Sequence, residues 1–166
     1  VPAPGHIQVG NTQLSPNKIE IAGPKEELAL INHVETVLDT FSGITTPLQS
    51  SIEIESLGGL IEYSNDLVSV NLNIQEISER IIVDIPVKVI NIRKKIRVFP
   101  SPQTVSLTVV GGVQRIAKLK PDDIQIIIDF NMWNNQIQFY EPTVIIPGDV
   151  LEWRDISPRS LELGVA

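Results

Sequence analysis

A Ser-Pro pair leading into a run of alternating apolar and polar residues occurs three times in this chain, and that recurrence constrains the fold more than any other feature. Ser15-Pro16 precedes Ile19-Glu20-Ile21, Ser101-Pro102 precedes Val105-Ser106-Leu107-Thr108-Val109, and Ser157-Pro158 precedes Leu161-Glu162-Leu163. Alternation with period two places every second side chain on one face, the pattern of a half-buried strand. A proline ahead of such a run belongs to the leading turn, where its missing N–H removes no ladder bond.

The correspondence extends beyond these pairs and predicts a tandem repeat. The first strand ends at Gly23-Pro24 and the second at Gly111-Gly112. A short apolar-periodic segment follows each. Pro24 suits the first helical position, Glu26 and Glu27 suit the positive end of a helix, and Leu28, Ile31 and Leu30 take the core side. Val113, Ile116 and Ala117 have similar spacing, so each copy is predicted to hold a helix of two or three turns. A strand follows in each, over about 35–41 and 124–130. Ile52-Glu53-Ile54 then matches Val144-Ile145-Ile146, Gly58-Gly59 matches Pro147-Gly148 as a turn, and Leu60-Ile61-Glu62-Tyr63 matches Val150-Leu151-Glu152-Trp153. Pairing Ile52 with Val144 requires small gaps in the alignment. The predicted units are 1–78 and 79–166. The β-rich run from Ile81 to Val89 opens the second and has no complete counterpart before Ser15, so the first unit is expected to lack its opening strand and to expose a sheet edge.

The composition supports a mainly β protein. Apolar residues make up 42% and charged residues 20% of 166, which excludes a disordered chain. Ile, Val and Leu dominate the apolar set, and β-branched side chains pack well on a pleated surface. A formal charge of −7 argues against nucleic acid and against an anionic membrane face, since both require a cationic surface. The absence of cysteine excludes disulfides, thiolate metal sites and a cysteine nucleophile. No apolar run reaches the roughly 18–20 residues that span a bilayer. The chain opens abruptly at Val1-Pro2-Ala3-Pro4, and a soluble fragment whose anchor or leader has been removed is expected.

The residues give little catalytic chemistry. His6 and His33 stand 27 positions apart and form no ligand cluster, so no metal and no cofactor is expected. Asp122-Asp123 after Lys120-Pro121 reads as a turn into a strand. Glu53, Glu55, Glu62 and Glu152 alternate with apolar residues and belong to wet strand faces. Arg93-Lys94-Lys95 with Arg97 reads as a solvated turn. Tyr63 and Trp153 fall at equivalent places and are read as anchors of their units. Trp133 has no twin. It sits in the polar stretch Asn131-Met132-Trp133-Asn134-Asn135, so Trp133, Asn134 and Asn135 are the candidate partner contacts, with packing over an edge of the core as the other role open to Trp133.

The string from Ser15 to Pro24, followed by Leu28, Ile31 and Val34-Glu35-Thr36, resembles the start of a YbbR-like domain. Val98-Phe99-Pro100 through Val105-Ser106-Leu107, with Ile156-Ser157-Pro158-Arg159-Ser160-Leu161-Glu162-Leu163, resembles a following unit. The resemblance implies two tandem YbbR-like units of short twisted strands, each with one short helix, in a bacterial protein anchored outside the cytoplasmic membrane. It further implies a non-catalytic protein-interaction module that regulates a membrane-bound diadenylate cyclase in cyclic di-AMP signalling. A structural envelope scaffold or spacer is the alternative. RNA binding, by analogy with a related ribosomal fold that binds 5S RNA, finds no support in so acidic a chain.

Overall fold

The computed structural model describes residues 1–166, which divide into two units, Val1–Glu76 and Ile77–Ala166. Both are built mainly from strands. The first holds β1 (His6–Gln8), β2 (Gln13–Ser15), β3 (Ile21–Ala22), α1 (Lys25–Leu28), β4 (Leu48–Glu53), β5 (Glu62–Tyr63), β6 (Leu67–Leu72) and the opening residues of β7 (Ile74–Ile90). β6 is the centre of an antiparallel sheet in the order β2-β6-β4. Its alternation buries Val68 and Val70 while Leu67 faces water. β3 pairs with β5 alone, Ile21 opposite Tyr63, and β1 pairs with Ile74–Glu76 of β7. Only five apolar side chains of this unit are buried: Val9, Ile54, Val68, Val70 and Ile74.

The second unit continues β7 and adds β8 (Val98–Ser101), β9 (Thr104–Gly112), α2 (Val113–Ala117), β10 (Gln125–Asp129), β11 (Thr143–Ile145), β12 (Glu152–Ser157) and β13 (Glu162–Val165). Strands run in the order β11-β10-β7-β9-β12, with β8 and β13 as a separate pair. β7 is antiparallel to β9 and parallel to β10, so both its edges are paired and it is the central strand. Ile82 and Ile85 lie in one cluster with Leu107, Val109, Ile126 and Leu161, none more than 2% exposed.

A bulge sets the phase of β7. Ile82 faces Leu107 and Ile85 faces Val105, so β7 spends three residues where β9 spends two. Asp84 absorbs the extra residue at φ 56°, in the left-handed region. Ile82 and Ile85, three apart, therefore both point inward, while Val83 and Asp84 between them face water. β12 is bulged in the same way between Arg154 and Ser157, with Asp155 at φ 55°.

The helices are shorter than predicted. α1 has four residues and α2 five, about one turn each. Leu30 lies beyond α1 and is 84% exposed, not in the core. α2 stops before Lys120, which is extended as a residue ahead of proline prefers. The Arg80 guanidinium donates to the carbonyls of Ile116, Ala117 and Leu119, each at 3.0 Å, taking up acceptors that a helix end leaves free. The strand predicted over 35–41 is reduced to one bridge, Thr36 opposite Ile54, whereas β10 forms as predicted. The register also moves the match for Val144: Thr36 bridges Ile54 and Ile126 pairs with Val144, so Ile54 rather than Ile52 occupies the like position. The Ser-Pro bonds at 15–16, 101–102 and 157–158 are all cis.

Candidate interaction surface

The loop that follows β10 carries Trp133, Asn134 and Asn135, and its shape is fixed from both ends. Asn91 donates its side-chain amide to the Asp129 carboxylate at 2.9 Å, and the same oxygen accepts the Asn131 N–H at 2.9 Å, capping a single 3-10 turn over Phe130–Met132. The Asn91 bond, then the Asn131 bond, hold the Asp129 carboxyl below its usual range. Phe130 is buried, and the Trp133 ring stacks on it with centroids 5.5 Å apart. One Trp133 face thus anchors the loop, while the residue stays 37% exposed. Both roles open to this residue in the sequence therefore meet in one side chain.

Beyond Trp133 the chain turns on Asn134, whose side-chain oxygen accepts the Gln136 N–H at 2.9 Å. Tyr140, 8% exposed, closes the loop from below. Its hydroxyl accepts the Asn134 N–H at 3.0 Å and donates to the Asn134 carbonyl at 2.9 Å. Gln138 donates to Glu162 at 2.6 Å. Every residue from Asn131 to Phe139 is exposed, among them Met132, Ile137 and Phe139. The surface is therefore wider than the three residues singled out. Ile137 and Phe139 escaped notice because their alternation with Gln136 and Gln138 reads as a strand.

Other features of the chain gather less chemistry. His33 Nε2 stands 3.5 Å from Glu35 Oε1, with both side chains largely exposed. No three His, Asp or Glu residues come together in a metal-holding group. Asp123 accepts the Lys120 N–H at 2.8 Å and serves the turn expected there. Arg115 and Asp149 form a hydrogen-bonded ion pair that lowers the Asp149 pKa. A groove of about 480 Å³ opens in the first unit, lined by Ile19, Ile21, Ile31, Val34, Thr36 and Ile54 among others. No helix is long and apolar enough to cross a membrane.

Comparison with protein families gives a match to the model described as YbbR-like protein over residues 3–72. No curated protein and no solved structure matches the chain. The matched span contains β1 to β6, α1 and the groove, so the chain carries a YbbR-like domain over residues 3–72.

Proposed function

We propose that the chain is a non-catalytic protein-interaction module made of two tandem YbbR-like units, and that the loop 131–139 of the second unit is its contact surface. The observation that carries the reading is the density of exposed apolar side chains on an anchored loop: Met132, Trp133, Ile137 and Phe139 within eight residues, held by Tyr140 and Phe130. Large apolar and aromatic groups on a preformed frame are what a protein interface uses as anchors, because little ordering entropy is lost on contact.

The second unit as a copy of the first is supported by its registers. Ile21 opposite Tyr63 and Ala22 opposite Glu62 match Val109 opposite Trp153 and Val110 opposite Glu152. Gly23 and Gly111 end the matching strands at equally close approaches. A Cβ on Gly23 would meet the Ile61 side chain at 2.6 Å, and one on Gly111 would meet the Ile116 side chain at 3.1 Å with the Leu151 backbone beyond it at 3.6 Å. The partner proposed from the YbbR-like membership is a membrane-bound diadenylate cyclase, met on the outer side of the cytoplasmic membrane.

The test is photo-crosslinking in native membranes from position 137 of the full-length protein, with captured chains identified by mass spectrometry. Capture of the cyclase, lost when Phe139→Ser is added, supports the proposal. Capture of cell-wall proteins alone points to a spacer and refutes the regulatory role.

A further inference from the structure

The two units differ at one place in a way that specifies a ligand. In the second unit β7 lies between β9 and β10 and supplies Ile82 and Ile85 to the core. In the first unit the matching flanks are β3, with the residues just before it, and the segment 34–38. No strand pairs on the inner side of either: β3 pairs only with β5, and Thr36 bridges only Ile54. The groove lies between these two flanks.

The lining repeats the core residue by residue. Anchoring the match on the paired registers makes Ile19 equivalent to Leu107, Ile21 to Val109, Thr36 to Ile126 and Val68 to Leu161. All four first-unit residues line the groove, and all four second-unit residues surround Ile82 and Ile85. The contrast is sharpest one turn of the pleat further on. Leu38 is 95% exposed, whereas its equivalent Ile128 is 3% exposed beside β7.

We propose that this groove is a strand-acceptor site, and that its occupant is an extended polypeptide segment with the chemistry of Ile81–Ile90. The proposal rests on the reading of the two units as copies. The bound strand runs antiparallel to Asn17–Ile21 and parallel to Thr36–Asp39, as β7 does between its neighbours. Main-chain hydrogen bonds to both open edges supply affinity, and alternate side chains supply specificity. The preferred segment places two β-branched residues three apart, like Ile82 and Ile85, with a polar residue such as Asp84 turned outward between them. It also buries Leu38, which gives the segment a reason to bind that the free unit lacks.

The probe is a synthetic peptide with the sequence of residues 80–91, added to the 1–166 protein and followed by amide NMR. Expected are shifts at Ile19, Ile21, Thr36 and Leu38, saturating at one equivalent, with at least about ten-fold slower amide exchange along both edges, the slowing that 1.4 kcal/mol of added protection gives. Leu38→Asp, at a site open to water in the free protein, is expected to weaken binding by about ten-fold or more. A peptide carrying Asp at both isoleucines equivalent to Ile82 and Ile85 is expected not to bind.

No shifts at 1 mM peptide, unchanged affinity of Leu38→Asp, or shifts confined to Val105–Val109 (exchange with β7) each overturn the proposal. So does peptide-independent dimerisation that protects the groove, which would make a second copy the occupant. The reading as copies is checked separately by Ile85→Asp in the whole chain, expected to collapse the dispersed signals of residues 77–166. If those signals survive, the copy reading fails whatever the peptide does. If they collapse and the peptide does not bind, only the acceptor site fails.

Discussion

Replacing Tyr140 by phenylalanine removes one oxygen and leaves the buried ring in place, so it isolates what that hydroxyl does for the loop above it. The hydroxyl makes two hydrogen bonds, both to the Asn134 backbone. A typical intramolecular hydrogen bond contributes about 0.5–1.5 kcal/mol net, and an unmade one costs more only where water cannot reach. Asn134 is exposed, so water re-satisfies part of the loss, and the expected cost is about 1–2 kcal/mol. Both tryptophans lie in the second unit, so fluorescence-monitored urea unfolding reads that unit alone. With a slope of about 2 kcal/mol per molar, the midpoint falls by roughly 0.5–1 M with the slope unchanged. The Asn134 amide, losing its acceptor, should exchange about ten-fold faster, as 1.4 kcal/mol of lost protection requires. An unchanged midpoint together with unchanged exchange at Asn134 would refute the claim that Tyr140 holds this loop.

Four further outcomes are expected. Leu107→Ala, in a closed core, should cost about 2–5 kcal/mol in equilibrium unfolding, while the equivalent Ile19→Ala, at the rim of an open groove, should cost about 1 kcal/mol or less; equal costs would contradict the difference in burial. Arg80→Met should cost about 1–2 kcal/mol and speed amide exchange within α2, since three carbonyls lose a charged donor; a loss without change in α2 exchange would place the effect elsewhere. Trp133→Ala should cost about 1–2 kcal/mol through the lost stack on Phe130, against under about 0.5 kcal/mol for Met132→Ala, and calorimetry of both distinguishes anchor from open contact. Asp149→Asn tests the ion pair with Arg115. Because the folded Asp149 pKa is depressed, its contribution is complete above the unfolded value of about 3.9 and fades as pH falls through the folded value. The variant should be less stable by under about 1 kcal/mol at pH 5–7, the pair being partly exposed, and the gap should close below about pH 4. A gap that persists at pH 2 would exclude the ion pair as its source.

What could be read in the sequence follows from how local its cause is. β9 keeps unbroken alternation, so Val105, Leu107 and Val109 announce both strand and buried face. The segment 35–41 carries similar apolar residues yet forms no strand, because a strand needs a paired neighbour and the first unit offers this one only Ile54. Residue pattern reports what a segment suits, and the partner decides what it becomes. The bulge in β7 left no mark, since an aspartate rather than a glycine takes the left-handed conformation. The candidate surface was legible only through Trp133. The bonds that shape it run from Tyr140 back to Asn134 and from Asn91 across to Asp129, and neither link has a signature in spacing.

The bulge at Asp84 makes β7 a strand of two reading frames. Upstream of it even-numbered residues face inward, downstream odd-numbered ones do, and the single extra residue joins the frames. Substitution at Asp84 therefore leaves every neighbour in place, while removing the residue transposes everything after it. Ile85, Val87 and Val89 would turn to water, and Pro86 and Lys88 would turn into the core. In a library of single-residue deletions selected for soluble 1–166 chain, loss of Asp84 should rank among the worst positions although the residue itself touches only solvent. Tolerance of that deletion would mean the frames are joined elsewhere.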